Sequence, residues 1–223
     1  MNGDSDRARL RAARLSSWGQ VNPRRLRAVI EHAGASILDV GCSTGNYVGL
    51  LREKGYHAVG LDLLADPGWV QEGVPLCVAG NALALPFSDA TFDTVIAFET
   101  LEHLRQPERA LAEFHRVARK NVVLSVPDCE TPEELLKGGL VFAHWRDRTH
   151  CTFFTEASLT DVIRRSGFSV RTIGRINACL IDYPVLYSLH VPPWLAFFAA
   201  RALRWIPFRT RYPMTLLAVA DRV

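Results

Sequence analysis

The stretch ILDVGCSTGNY, from Ile37 to Tyr47, decides the fold. Ile37–Val40 predicts a short buried strand, because apolar and β-branched side chains surround a single acid there. The small residues of Gly41–Gly45 predict a turn, and a helix-like segment follows from Asn46. A strand that passes through glycines into a helix lets backbone N–H groups approach a ligand closely, at the positive end of a helix dipole. The sequence therefore predicts a ligand-binding loop at residues 41–45.

The spacing of the glycines narrows the class of ligand. It is G-x-x-x-G, and the G-x-G-x-x-G fingerprint of dinucleotide-binding folds is absent. Asp39, at the end of the strand, lies beside this loop and is suited to accept hydrogen bonds from a bound ammonium group. A glycine-rich loop alone is weakly specific, so the rest of the chain decides what it binds.

Strands alternate with helices along most of the chain. Apolar runs predict seven strands, at residues 37–40, 57–61, 76–79, 92–98, 122–126, 170–173 and 216–220. Helices are predicted between them, including one capped by Asn22 and one capped by Thr155. The predicted fold class is α/β, a doubly wound, mostly parallel seven-stranded sheet with helices on both faces. Its ligand crevice is expected at the carboxyl ends of the strands.

The length of 223 residues suits one domain. We predict a single domain over residues 1–223, with basic N-terminal helices at about 6–34 and an apolar and basic insertion at about 174–215 between the last two strands. The composition, 48% hydrophobic and 22% charged with a net charge of +3, is that of an ordinary globular chain. The arginine-rich ends favour anionic substrates or membrane surfaces, or else they mark solvated helix faces.

Five widely spaced cysteines set expectations about compartment and metal content. None forms a C-x-x-C pair, so the sequence predicts neither a structural zinc site nor a disulfide framework. A reducing, cytoplasmic setting fits this pattern. The N-terminus shows no apolar core of a secretory signal, and the longest apolar run, at 191–200, is shorter than the roughly 20 residues that a membrane-spanning helix needs.

Four motifs follow one another along the chain. The loop GCSTG follows the first strand, the acid of GLDLL ends the second, AGNALALPFSDATFD leads into the strand at 92–98, and VIAFETLEHL covers its end and the residues after it. In these motifs, and in HCTFFTEASLTDVIRRSGF further on, the chain resembles class I S-adenosylmethionine-dependent methyltransferases. The resemblance is to the small-molecule group with L-P-F and L-E-H motifs. It implies a Rossmann-like methyltransferase fold, S-adenosyl-L-methionine as cofactor and methyl transfer as the reaction.

The resemblance also assigns cofactor contacts. The assigned residues are Asp39, Gly41, Gly45, Asp62, Leu63, Asn81, Ala82 and Phe98. The first three would hold the amino-acid end of the cofactor, Asp62 the ribose hydroxyls, and Phe98 would lie at the methionine end. Leu63 and Leu83 would sandwich the adenine unless they are ordinary core. Asn81 and Ala82 would read the adenine edge. Most relatives carry Asp in place of Asn81, so the polarity of this contact should differ.

A hydroxyl acceptor benefits from a general base. His103 and His150 are the leading candidates, because an unperturbed imidazole titrates near physiological pH. The outside candidates are His144 and His190. Glu99, Glu102 and His103 are spaced i, i+3 and i+4, which predicts that they share one helix face. With His150 they could bind a divalent ion, as in some relatives. Other relatives with L-E-H bind no metal, so the predicted site residues include no metal ligand and the question stays open.

The expected acceptor is a small polar metabolite, methylated on oxygen or nitrogen, with a sugar or glycan precursor preferred. The chain has FETL after the strand at 92–98, where enzymes that methylate bases or glutamine carry a motif of the N-P-P-Y type. A nucleic-acid partner is therefore disfavoured. The alternatives are an RNA methyltransferase, a nicotinamide-dependent Rossmann oxidoreductase and a non-catalytic cofactor-binding module.

The stretch Trp194–Ile206 is almost wholly apolar apart from Arg201 and Arg204, and prolines bound it on both sides. It predicts a helix, and a helix that is apolar nearly all round must be buried against something. Residues 191–209 are therefore expected to cover the active site, to form a homodimer contact, or to make a peripheral membrane contact through tryptophans and arginines.

Overall fold

A computed structural model describes residues 21–66, 69–71, 74–137, 142–180, 190–192, 194–195, 198–199, 202 and 211–223. The described helices are α1 (Pro23–His32), α2 (Asn46–Glu53), α3 (Pro107–Val117), α4 (Glu133–Lys137) and α5 (Glu156–Arg165). The strands are β1 (Ser36–Val40), β2 (His57–Asp62), β3 (Val70–Gln71), β4 (Val74–Pro75), β5 (Cys77–Ala79), β6 (Phe92–Phe98), β7 (Ala118–Pro127), β8 (Phe168–Leu180) and β9 (Arg211–Arg222). Strands β3 and β4 form a separate small hairpin.

Seven strands form one sheet in the order β5-β2-β1-β6-β7-β9-β8. The pairs from β5 to β7 are parallel, and β9 is antiparallel to both of its neighbours. This is the predicted doubly wound, mostly parallel seven-stranded sheet. Similar solved structures, described below, confirm the fold class.

The central strands are buried on both faces, as a parallel sheet covered by helices requires. All seven residues of β6 are buried. Along this strand Val95 and Ala97 pack into one core cluster, whereas Ile96 and Phe98 pack into a second cluster on the opposite face. The apolar run from Val95 to Phe98 therefore reflects two cores, one on each face of the sheet.

The order of the strands reverses at β1, which pairs with β2 on one side and β6 on the other. The crossover connections leave opposite faces at this point, so a crevice opens beyond the carboxyl ends of the strands. Asp62 and Phe98 are the last residues of β2 and β6, and the glycine loop directly follows β1. The topology therefore brings the ends of three strands to one crevice.

The last two strands of the chain extend further than their apolar patterns predict. Strand β8 continues to Leu180 and β9 begins at Arg211, so residues 181–210 separate the two strands rather than 174–215. In the sequence, Pro213 argues against a central strand at its position, because proline has no N–H group to donate to a neighbouring strand. In the structure, β7 pairs with β9 only as far as Thr215, and beyond this residue β9 has β8 as its described neighbour. Proline is tolerated at such a position.

Two predicted helix starts match the structure. Asn22 caps α1, where its side-chain oxygen accepts hydrogen bonds from the backbone of the first turn, and Thr155 caps α5 in a capping box with Ser158. The predicted basic helix before α1 lies outside the described residues. Within the predicted helix Trp194–Ile206, the described residues 194–195, 198–199 and 202 are helical. Among the described residues, no helix has both the length and the apolar character needed to cross a bilayer.

Candidate functional site

A cavity of about 800 Å³ lies at the carboxyl ends of the central strands. Its walls come from the glycine loop, the segment after β6 and the segment before α5, with one arginine from α1. The lining residues are Arg25, Asp39, Gly41, Cys42, Ser43, Thr44, Asn46, Tyr47, Phe98, Glu99, Glu102, His103, Pro127, His144, Asp147, His150, Met214 and Thr215. Five of the ten residues assigned to the cofactor or named as leading bases are among them, namely Asp39, Gly41, Phe98, His103 and His150. The other sequence candidates Glu99, Glu102 and His144 also line the cavity.

The glycine loop has the left-handed backbone that its composition predicts. Gly41 and Gly45 have φ angles of +78° and +76°. A Cβ atom on Gly41 would lie 2.2 Å from Thr100 Oγ1. The backbone N–H groups of Gly41 and Cys42 both donate to the carbonyl of Leu61, at 2.7 and 3.1 Å. The loop is therefore tied to β2 and packed closely against the segment after β6.

Two acids flank this loop. The Asp62 carboxylate accepts hydrogen bonds from the backbone N–H groups of Ser43, at 2.8 Å, and Leu64, at 3.3 Å. These bonds fix its orientation beside the loop. Asp39 is 3% exposed, and its burial, with a smaller effect of the Asp62 charge, raises its pKa to about 7. A buried carboxyl group of this kind favours a cationic ligand, because a nearby positive charge stabilises the ionised form.

Five of the residues assigned to the cofactor are not among those that line the cavity, namely Gly45, Asp62, Leu63, Asn81 and Ala82. Leu63 is 70% exposed, so it is not ordinary core, whereas Leu83 packs against the main core cluster. The Asn81 side-chain oxygen accepts a hydrogen bond from the Leu83 backbone at 2.9 Å, so this bond uses the oxygen and not the amide nitrogen. These residues lie on turns after β2 and β5, next to the strands that carry the loop acids.

The prediction that Glu99 shares a helix face with Glu102 and His103 is wrong. The three residues Leu101–His103 form a single 3₁₀ turn, and Glu99 precedes it with a φ angle of +52°. The Glu99 carboxylate instead forms an ion pair with Arg25 and accepts a hydrogen bond from Ser125 Oγ at 3.1 Å. The side chain therefore turns away from the position that helical spacing would give it.

Arg25 is a cavity residue that the sequence did not indicate. Its guanidinium lies 5.5 Å from the centre of the Phe98 ring, and Tyr47 packs on the same ring at 4.9 Å. The Tyr47 hydroxyl accepts a hydrogen bond from the backbone of Asn22 at 2.9 Å. Helix α1 thus closes over the predicted methionine end of the site. A basic helix gives no signal of this contact, because its partners lie far away in the chain.

A carboxyl group and two imidazoles form a cluster in the cavity wall. Glu102 and His103 follow β6, and His150 precedes α5. One side-chain ligand atom from each of Glu102, His103 and His150 lies within 4.8 Å of the others. Glu102 is 1% exposed, and both of its carboxylate oxygens lack a hydrogen-bond partner among the described residues. Burial, and secondarily the charge of Glu99, raises the pKa of Glu102 to about 9. Three of the four candidate ligands therefore meet, and Glu99 does not join them.

His144 is a second polar group that faces the cavity unpaired. It is buried, and neither ring nitrogen has a hydrogen-bond partner among the described residues. Burial, and then the charge of His150, lowers its pKa, so the neutral imidazole is favoured. The next residue, Trp145, stacks on Phe153 with ring centroids 4.7 Å apart and an interplanar angle of 13°. An exposed aromatic pair therefore adjoins the unpaired imidazole.

A family model described as a methyltransferase domain matches residues 10–173, and the chain belongs to this family. The predicted membership of the class I S-adenosylmethionine-dependent methyltransferases and the predicted cofactor, S-adenosyl-L-methionine, are confirmed.

Individual relatives agree with the family. The chain is 31% identical over 150 residues to a probable S-adenosylmethionine-dependent methyltransferase of Mycolicibacterium smegmatis, covering 64% of this chain and 55% of the relative. It is 36% identical over 101 residues to a ubiquinone biosynthesis O-methyltransferase of Chromobacterium violaceum, covering 40% and 43%. The fold is similar to that of a SAM-dependent methyltransferase from Archaeoglobus fulgidus, with a TM-score of 0.61, 22% identity and coverage of 89% and 92%. The chain spans about half the length of most of the curated relatives it matches.

The ribose assignment of Asp62 leads to a direct test. We expect Asp62→Ala to weaken the affinity for S-adenosylhomocysteine about 10- to 100-fold, because charge-assisted hydrogen bonds contribute about 1.5–3 kcal/mol each. Calorimetric titration measures this. Asp62→Asn is the matched control, since it keeps one oxygen that can accept from Ser43 and should lose less affinity. If Asp62→Ala binds as tightly as the unaltered protein, Asp62 does not hold the ribose.

Proposed function

We propose that the protein transfers a methyl group from S-adenosyl-L-methionine to an oxygen or nitrogen atom of a small polar metabolite bound in the cavity. One observation carries this proposal. A single cavity of about 800 Å³ is lined on one side by the glycine loop and on the other by buried polar groups, Glu102 and His144, that lack partners among the described residues. Unpaired buried polar atoms are costly, so they favour a ligand that completes their hydrogen bonds.

The residues on the loop side fit the cofactor. Asp39 offers a buried carboxyl group to an ammonium group, and the oriented Asp62 carboxylate offers free lone pairs to vicinal hydroxyls. The left-handed glycines allow the backbone to approach a ligand. Phe98 gives an apolar wall between the loop and the acceptor side. When bound, the cofactor supplies an activated methyl donor, so the protein mainly positions the acceptor and excludes water.

His103 and His150 are the residues that we assign to proton removal from a hydroxyl acceptor. Their rings lie 4.8 Å apart in an edge-to-face arrangement. His103 Nδ1 is 3.1 Å from Thr149 Oγ1, and His150 Nε2 is 3.7 Å from Asp147 Oδ2. Such contacts orient both rings at the cavity wall. The names of several relatives, which are O-methyltransferases, support oxygen as the acceptor atom.

A sugar or glycan precursor is the acceptor class that we favour, because an exposed aromatic surface adjoins the cavity-lining His144. The stacked pair of Trp145 and Phe153 presents a flat apolar surface, and both side chains are 42% exposed. His144 and Asp147, on either side of Trp145, line the cavity and offer hydrogen bonds. Aromatic faces bordered by a few polar groups are typical of small-molecule sites. The oxidoreductase, RNA methyltransferase and non-catalytic alternatives have no comparable support.

The proposal is tested by incubating the protein with methyl-labelled S-adenosyl-L-methionine and a cell extract, and by separating the labelled products by mass. We expect label in small polar molecules. His103→Gln and His150→Gln should reduce the rate while keeping the affinity for S-adenosylhomocysteine, because neither residue is assigned to the cofactor. Label confined to RNA or protein would overturn the small-molecule proposal.

Divalent metal binding is a separate question that the acid and imidazole cluster raises. The unpartnered Glu102 carboxylate and two imidazoles fit a divalent ion such as Mn²⁺, which takes oxygen and nitrogen ligands. An ion bound there would replace the role of the two imidazoles as bases, and its positive charge would favour an ionised acceptor oxygen. We expect calorimetry to show Mn²⁺ binding that Glu102→Gln abolishes.

Glu108→Gln is the control for the metal test, since Glu108 is exposed on α3 and outside the cavity. Turnover should then fall with a chelator and recover with added ion. Absence of Mn²⁺ binding to the unaltered protein would show that the cluster is not a site for this ion.

We propose that residues 191–209 of this chain make either a peripheral membrane contact or a homodimer contact. Trp194 and Phe198 lie on a helical stretch and are 66% and 61% exposed. These exposed aromatic residues, and the arginines that the sequence carries at 201, 204 and 209, support an interfacial role for this segment.

A further inference from the structure

Two buried cysteines, one in the glycine loop and one on a neighbouring strand, lie close together. Cys42 lies within the loop and Cys77 lies on β5, on the other side of β2. Both are free thiols, and they are 7% and 5% exposed. Nothing in the proposed methyl transfer uses either of them.

Gly60 is the reason that the two thiols meet. In the sheet register this β2 residue is paired with Asp39 on β1 and with Cys77 on β5. A Cβ atom at Gly60 would lie 2.5 Å from the Cys77 sulfur and 2.6 Å from the Cys42 sulfur. Both sulfur atoms therefore occupy the space of the missing side chain. They can be no farther apart than the sum of these two distances.

The surroundings differ for the two thiols in a way that suits stepwise oxidation. Cys42 lines the cavity, so a small oxidant reaches it from there. The Cys77 sulfur lies 3.3 Å from the position of a Cβ atom on Gly45, under the loop. Contact with Cys42 lowers the pKa of Cys77, whereas contact with Cys77 and then burial raise the pKa of Cys42. The Cys77 sulfur can therefore accept the Cys42 proton when the Cys42 sulfur reacts with an oxidant in the cavity.

We propose that Cys42 and Cys77 form a reversible disulfide with hydrogen peroxide as oxidant, and that this bond weakens cofactor binding by displacing the glycine loop. The cavity-lining Cys42 thiol is oxidised to a sulfenic acid, and the peroxide is reduced with release of one water molecule. The Cys77 sulfur then attacks the Cys42 sulfur, and the S–S bond forms as a second water molecule leaves. The two thiols together lose two electrons and two protons, which the peroxide takes up.

The effect on the cofactor follows from the geometry of the bond. A disulfide holds its sulfur atoms about 2.05 Å apart within a narrow range of dihedral angles. Cys42 stands between Gly41 and Ser43, both with positive φ angles, and Ser43 donates the backbone hydrogen bond that orients Asp62. Movement of Cys42 toward Cys77 therefore disturbs the loop and the acid on which cofactor binding is proposed to depend. This consequence rests on the proposed cofactor site, whereas formation of the bond does not.

The test uses the full chain with Cys129, Cys151 and Cys179 replaced by alanine, so that Cys42 and Cys77 are the remaining thiols. The protein is treated with one equivalent of hydrogen peroxide, its free thiols are alkylated, and intact mass and peptide mapping are measured. We expect loss of two hydrogen atoms, protection of both thiols from alkylation, and one peptide that joins residues 42 and 77. Dithiothreitol should reverse all three changes.

Calorimetry with S-adenosylhomocysteine then compares the reduced, oxidised and re-reduced protein. We expect the oxidised form to bind about tenfold more weakly or worse, as loss of one charge-assisted hydrogen bond predicts, and reduction to restore the affinity. Cys77→Ser on the same background should form no disulfide and should instead gain one oxygen atom at Cys42, so its affinity after peroxide shows the effect of oxidation without the bond. Saturating S-adenosylhomocysteine should slow the oxidation, because it fills the cavity that Cys42 lines.

Two results would overturn the proposal, namely full alkylation of both thiols after peroxide, or an oxidised form that binds as tightly as the reduced form. If the reduced protein binds no S-adenosylhomocysteine at all, the proposed cofactor site fails. In that case the mass measurements still decide whether the disulfide forms.

Discussion

Gly41→Val is expected to abolish binding of S-adenosylhomocysteine. The new side chain would lie 2.2 Å from Thr100 Oγ1 and 2.9 Å from Thr100 Cγ2. Thr100 cannot easily give way, because its hydroxyl is within 3.2 Å of the carbonyls of both Val40 and Phe98. The φ angle of +78° adds strain of about 1–2 kcal/mol for any residue with a Cβ atom. The loop must therefore move away from the position that holds a ligand.

The matched control is Gly49→Ala on α2, one turn beyond the same loop. A Cβ atom there would meet nothing within 4 Å, and alanine favours a helix over glycine by about 1 kcal/mol. This variant should bind as the unaltered protein does and should be slightly more stable. Calorimetry measures the affinity, and thermal unfolding shows whether Gly41→Val remains folded. If Gly41→Val does not remain folded, the affinity is measured on Gly41→Ala instead. Unchanged affinity in either Gly41 variant would show that the loop does not approach the cofactor.

The parts of the fold that depend on local pattern were predictable from the sequence. The strand, turn and helix around Gly41 follow from apolar runs, glycines and a helix start within about ten residues. The ends of β8 and β9 were not predictable, because polar residues and Pro213 interrupt the apolar pattern there. Antiparallel pairing continues through these residues, since the partner strand supplies hydrogen bonds whatever the side chains are. Strand length is in this case a property of the pair.

The site shows the same division. Asp62 could be placed from the sequence because it ends a strand, and the carboxyl ends of parallel strands meet at one edge of the sheet. The contact between Arg25 and Glu99 joins residues 74 positions apart, and no local signal marks it. The helical spacing of Glu99, Glu102 and His103 was misleading because the chain after β6 makes a single 3₁₀ turn. His144 could be named only as an outside candidate, since its importance lies in its burial and its lack of partners, which depend on the tertiary structure.

Asp39→Asn is expected to make the ligand-free protein more stable at pH 8. Burial raises the pKa of Asp39 to about 7, whereas an unfolded chain releases this proton near pH 4. Between these values the folded state keeps a proton that the unfolded state has lost, so the free energy of unfolding falls as pH rises. The full difference corresponds to at most about 4 kcal/mol, and relaxation of the surroundings should reduce it to about 1–3 kcal/mol. Asparagine does not titrate, so the free energy of unfolding of the variant should lack this fall between pH 4 and 7. Denaturant unfolding at several pH values measures it.

The same variant should bind S-adenosylhomocysteine about 10- to 100-fold more weakly, because its neutral amide cannot pair with the ligand's ammonium group. In the unaltered protein, affinity should rise with pH up to about 7, as Asp39 must ionise to form this pair. Most substitutions that damage a site through the fold lower stability and affinity together. Here stability should rise while affinity falls, so general damage cannot produce the result. A variant that is less stable at pH 8, or that keeps full affinity, would show that Asp39 is a structural acid and not the ligand of the ammonium group.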